Sequence, residues 1–131
     1  MKVLALDYGS ARTGVAVSDP TGTVARPLEV VQGAASECGR ARIVELVREH
    51  DAERVVVGLP LTMRGERGEQ AVETETFVAL LRSALEVPVE SFDERFTTDL
   101  AEQSGGSGET DARAAAHLLS SYLTWSSSAP R

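Results

Sequence analysis

An α/β architecture follows from the order of elements along this chain: a mixed five-stranded sheet, three strands antiparallel and two parallel, flanked by helices. Three observations lead there. "KVLAL", residues 2–6, is a continuous apolar run of the kind buried on both faces of a sheet. The first thirty residues hold three such segments joined by short turns, an arrangement only antiparallel strands allow. After them, helical and strand patterns alternate to the end, as in βα units.

The first strand runs straight into Asp7, and "TGVAVSD" follows after a short turn as the second. "DPTG" is a turn, with Asp19 before Pro20 as a turn residue. "TVARPLEVV" is the third strand, and Pro27 inside it requires a sheet edge or a bulge. Ser36 can cap a helix whose face is Ile43, Leu46, Val47 and His50. "ERVVVGLP" is a β-branched strand stopped by Gly58 and Pro60, and "MRGERGE" is a loop. Phe77, Leu80, Leu81, Ala84 and Leu85 repeat at helical spacing, and "VPVESFD" is the fifth strand. Thr97 or Thr98 opens a brief helix that fails at "SGGSGE", a segment of high backbone entropy. From Thr110 a last helix shows Ala112, Ala115, Ala116, Leu119 and Leu123 on one face. Residues 1–125 form one domain, and residues 126–131 are a frayed, flexible tail.

Composition excludes several classes. The single cysteine, Cys38, rules out an intramolecular disulfide, suits a reducing cytosol, and reads as a small packing residue. The apolar run before Asp7 is too short for a signal peptide, and no stretch nears the roughly 20 apolar residues of a membrane span. A net charge of −7 argues against nonspecific nucleic-acid binding by overall charge, and leaves room only for a local basic patch.

Three carboxylates sit where chemistry is expected. In such sheets, ligands bind beyond the carboxyl ends of the parallel strands. Asp7 ends the first strand, Asp93 and Glu94 end the last, and Asp111 opens the final helix. Clustered carboxylates repel one another unless a cation lies among them, and hard divalent ions take oxygen ligands. Two such ions can activate water and stabilise the leaving oxygen of a phosphodiester. Each residue also has a structural reading: an Asx turn at Asp7, a surface ion pair between Glu94 and Arg95, a helix-dipole partner at Asp111. His117 reads as packed or solvated on its helix.

"LALDYGSARTGVAVSD", "VVVGLPLTMRGERG", "DERFTT" and "DARAAAHLLSSYL" together resemble the YqgF family, also called RuvX. The resemblance spans residues 2–124. It implies a ribonuclease H-like fold and a nuclease of pre-16S rRNA processing, in a family once described as Holliday-junction resolvase-like. It implies Asp7, Glu94 and Asp111 as catalytic carboxylates binding Mg²⁺ or Mn²⁺. Arg12, Arg64, Arg67 and Arg95 lie in or beside the matched loops and could contact phosphates. The implied partner is RNA, as pre-16S rRNA or a pre-ribosomal particle. The protein would be cytoplasmic, without membrane contact, and a monomer or weak dimer. Three alternatives stay open: cleavage of branched DNA, a non-catalytic binding module of the same fold, and an actin-type ATPase, which normally needs two such domains. The chain departs from the family in one segment. "DLAEQSGGSGET" has no Lys or Arg, where members usually carry a longer, often basic, stretch.

Overall fold

The computed structural model describes residues 1–61, 64, 66, 68–94 and 108–128, and among these are five strands and three helices. For residues 108–111, 127 and 128 it describes the backbone alone. The elements are β1 (Val3–Asp7), β2 (Arg12–Ser18), β3 (Ala25–Gln32), α1 (Glu37–Glu49), β4 (Arg54–Leu59), α2 (Glu69–Ala84), β5 (Val89–Asp93) and α3 (Gly108–Ser128). The sheet order is β3-β2-β1-β4-β5. β1–β2 and β2–β3 pair antiparallel, β1–β4 and β4–β5 parallel, as expected from the sequence.

Alternation along the strands divides the core in two. Leu4, Leu6, Val55 and Val57 face one way, against Ile43 and Leu46 of α1 and Phe77 and Leu81 of α2. Val3, Ala5, Val56 and Phe92 face the other way, against Ala115, Leu118, Leu119 and Tyr122 of α3. β1, in the middle, is therefore apolar throughout until Asp7. β3 is an edge strand, and its register against β2 shifts between Val15 and Ala16, opposite Glu29 and Pro27. Pro27, which cannot donate to a ladder, is accommodated by edge and bulge together.

Local signals behave as their chemistry requires. Ser36 caps α1, its hydroxyl accepting from the Gly39 amide. Asp19 closes the β2–β3 turn, accepting from the Thr23 and Val24 amides at 2.8 and 3.0 Å and from the Thr21 hydroxyl. Those donors hold its carboxyl well below the usual range.

Four expectations need correction. Gly58 does not stop β4; it pairs with Phe92 inside the ladder, and the strand ends at Leu59 because Pro60 has no amide to continue it. The buried stripe of α2 is Ala71, Thr74, Phe77, Val78 and Leu81, whereas Ala84 is exposed and Leu80 only half-buried. Thr74 can be buried there because its hydroxyl donates back to the Gln70 carbonyl. Cys38 is exposed, not packed. Its neighbour Gly39 takes the inward position, where a Cβ would come 2.1 Å from the Gly33 carbonyl oxygen. Finally, α3 begins at Gly108 rather than Thr110 and continues to Ser128, three residues into the segment read as a tail. Trp125 extends its packing, with ring centroids 5.6 Å from Phe92 and 5.9 Å from Tyr122. The brief helix expected at Thr97 or Thr98, and the "SGGSGE" segment before α3, lie outside the described residues.

Candidate active site

Strand parity decides where the first carboxylate points. Asp7 follows Val3 and Ala5 on the α3 face of the sheet, at the carboxyl end of β1. Glu94 follows Phe92 by two positions and shares that face, just past the end of β5. The two carboxyls are hydrogen-bonded to each other. Burial, the neighbouring Asp7 charge and bond, and Asp93 together push Glu94 up to about 7. Such a pair holds a proton at neutral pH that isolated carboxylates would have lost.

The third carboxylate is placed by its backbone. Two contacts tie α3 to β4: the Tyr122 hydroxyl accepts from Arg54 at the strand's start, and Leu118 lies beside Gly58 near its end. Asp111 is seven residues before Leu118 in α3, about 10 Å from it along the helix axis. Its side chain is outside the described residues, and among those residues no group of three potential metal ligands occurs.

The β1–β2 turn that follows Asp7 is tight. A Cβ on Gly9 would meet the Arg12 carbonyl oxygen at 2.4 Å, so only glycine fits, and the Thr13 hydroxyl lies 3.4 Å from the Gly9 amide nitrogen and carbonyl oxygen. Arg12 is exposed at the start of β2, and Arg64 is exposed beyond the end of β4. Arg12 thus stands in the first position of β2, at the sheet edge that carries Asp7 and Glu94, and Arg64 follows the strand end there. Arg67 and Arg95 lie outside the described residues.

Tyr8 is a further neighbour of the site. It points to the opposite face from Asp7, stacks on Phe77 with centroids 4.4 Å apart, and donates its hydroxyl to Glu73. Burial and the Glu73 carboxylate push its phenol up. Its place immediately after an inward aspartate at a strand end was the available signal, since alternation sends it under α2. A cavity of about 330 Å³ between the ends of α1 and α2, lined by Val44, Val47, Ala52 and Leu85 among others, contains none of these residues.

All-oxygen ligands in a crowded, half-buried pair fit a hard divalent cation, which would replace the shared proton and relieve the repulsion. Sulfur or imidazole ligands, which would suit a softer ion, are absent from the candidate set.

Comparison with known proteins places the chain in a family. The family model described as RuvX, Holliday junction resolvase, matches residues 1–125. A relative from Chloroflexus aurantiacus, provisionally named a pre-16S rRNA nuclease, is 54% identical over 101 residues, 77% of this chain and 66% of the relative. One from Syntrophomonas wolfei, with the same provisional name, is 35% identical over 132 positions, covering 94% of each chain. Among solved structures, Thermus thermophilus RuvC in complex with a Holliday junction substrate matches with a TM-score of 0.63 and 22% identity, covering 98% of this chain and 96% of that one. At that identity the likeness establishes the shared ribonuclease H-like fold. With the family model spanning nearly the whole chain and relatives this similar beside it, the protein belongs to the RuvX family.

Proposed function

We propose that this protein is a divalent-ion-dependent nuclease that hydrolyses phosphodiester bonds in structured RNA, and that its task is maturation of the 5′ end of pre-16S rRNA in the cytoplasm. The observation that carries the reading is the hydrogen-bonded Asp7–Glu94 pair at the carboxyl ends of β1 and β5. The provisional name shared by the relatives supports the RNA substrate.

Asp7, Glu94 and Asp111 would hold Mg²⁺ or Mn²⁺. When bound, the ion supplies charge stabilisation at the scissile phosphate and acidifies water. The chain's own part is to fix that site. β1 is buried on both faces and holds Asp7 on a rigid support. Glu94 must release its proton before it can ligate, so site assembly is tied to pH. Arg12 and Arg64 would contact flanking phosphates, with Arg67 and Arg95 in the same role.

Branched DNA is the second reading, supported by the family description and by the fold shared with RuvC bound to a Holliday junction. The test is cleavage of a pre-16S rRNA fragment and of a four-way DNA junction with Mn²⁺, beside an Asp7→Asn control. Cutting of the RNA alone, lost in the control, supports the proposal. Cutting of the junction alone transfers the site to DNA, and cutting of neither removes the nuclease assignment.

A further inference from the structure

Asp7 and Glu94 come from strands that are not neighbours. β4 lies between β1 and β5 in the sheet. Neighbouring strands are about 4.8 Å apart, so the two backbones are separated by roughly 9–10 Å. Leu6 is opposite Val57 and Gly58 is opposite Phe92. Gly58 therefore occupies the middle-strand position between the two acids. It also follows Val56 on the α3 face, the face both acids share. A side chain at this position would rise into the space where the carboxyls meet. A Cβ on Gly58 would stand 2.7 Å from Glu94 Oε1, 3.0 Å from Glu94 Cγ and 3.1 Å from Leu118 Cδ2. The Gly58 backbone has negative φ, and its strand is regular, so no turn or left-handed conformation explains the glycine.

We infer that Gly58 is a positioning residue for the metal-binding carboxylates: its missing side chain is the window through which Glu94 folds across β4 to reach Asp7. The inference rests on the proposed metal site for its functional consequence. The contact itself does not depend on that reading. Any larger residue at position 58 displaces the Glu94 side chain outward, because β4 is held on both sides by ladder bonds and Leu118 closes the space from above. The acid that moves is then the one reaching furthest from its own strand.

The experiment is a double-mutant cycle of Gly58→Ala and Glu94→Ala, with two readouts on the full chain. Calorimetric titration with Mn²⁺ alone measures site assembly without substrate. Thermal unfolding in chelator measures the steric contact without metal. Gly58→Ala in the unmodified background should weaken Mn²⁺ binding at least tenfold and lower the melting temperature. In the Glu94→Ala background the same step should change Mn²⁺ affinity less than twofold and should cost much less in melting temperature, leaving only the contact with Leu118. Val57→Ala, on the opposite face, should lower the melting temperature while leaving Mn²⁺ affinity unchanged. Equal losses from Gly58→Ala in both backgrounds would overturn the inference and make the glycine a packing residue. If the unmodified chain binds no Mn²⁺, the metal reading falls, and the melting-temperature cycle still decides whether Gly58 acts through Glu94.

Discussion

Asp7 and Glu94 share a hydrogen bond across the width of a strand that belongs to neither of them. The bond needs a proton, and a half-buried carboxyl pair keeps one more readily than water-exposed carboxylates do. In the proposed metal site, that proton takes the place a cation would hold.

That proton gives the metal-free protein a defined pH dependence. Glu94 titrates at its ordinary 4.5 when unfolded and at about 7 in the fold. Between those values the folded chain holds a proton that the unfolded chain has released. Its contribution to stability is fully present below about 4.5 and is lost as pH rises through about 7. In chelator the melting temperature should be higher at pH 5 than at pH 8, and Glu94→Gln should flatten the difference. A profile equally steep in the variant would assign the effect to other groups. Mn²⁺ at pH 8 should restore the lost stability, because it replaces the proton.

Asp7→Asn separates fold from chemistry. The substitution removes one charge from a repelling pair, so the metal-free variant should be as stable as the unmodified chain or slightly more so. Cleavage should fall to below about 1% of the unmodified rate, since a neutral amide is a poor ligand for a hard dication. Thermal unfolding beside single-turnover cleavage makes the comparison. Full activity in a clean preparation would remove Asp7 from the site.

Arg64 and Glu94 should fail in different ways. Arg64→Ala removes one phosphate contact, so binding should weaken evenly across sequences and the salt slope should drop by about 1. Glu94→Gln should lower the rate with little change in RNA affinity. Filter binding over a salt series distinguishes the two, and an unchanged slope for Arg64→Ala would place the phosphate contacts elsewhere.

Asp51 offers a test of the scaffold alone. It has φ 51°, just past α1, while the Ala52 amide donates to the Val47 carbonyl at 3.0 Å. This is the helix-ending turn that usually takes glycine. Asp51→Gly should stabilise the protein by about 0.5 kcal/mol, the relieved backbone strain slightly exceeding the entropy added to the unfolded chain. Urea unfolding should show a higher midpoint with an unchanged slope.

What was legible in the sequence follows from distance along the chain. Asp7 declared itself because a carboxylate ends an otherwise apolar strand, and Pro27 because a proline cannot serve a central ladder. Gly58 carries a misleading local signal, because glycine before Leu59-Pro60 has the composition of a turn. Its meaning depends on β4 inserting between β1 and β5, an order no local pattern contains. The buried face of α2 is not legible in the pattern, because Thr74 is polar by composition and is buried only with its hydroxyl bonded to the Gln70 carbonyl. The pairing of Glu94 with Asp7, 87 positions apart, required the sheet order itself.

Tyr8 links the site to the core and gives the last test. Its backbone is bonded directly to Asp7, and its ring lies on Phe77 of α2 under the other face of the sheet. Movement of that ring would loosen the strand end that carries the carboxylate. Tyr8→Phe keeps the stack and loses only the bond to Glu73, a carboxylate on an exposed residue. Its stability should change by less than about 1 kcal/mol and its cleavage rate by less than about twofold. Tyr8→Ala removes the ring and leaves a cavity beside Phe77, so it should cost about 3–4 kcal/mol. Phe77→Ala should cost a similar amount from the other side of the stack. If ring packing is what steadies Asp7, both alanine variants should also weaken Mn²⁺ binding at temperatures where they remain folded. Tyr8→Phe should not. Loss of Mn²⁺ affinity in Tyr8→Phe would instead point to the Glu73 bond, and unchanged affinity in all three would mean that β1 holds Asp7 without help from α2.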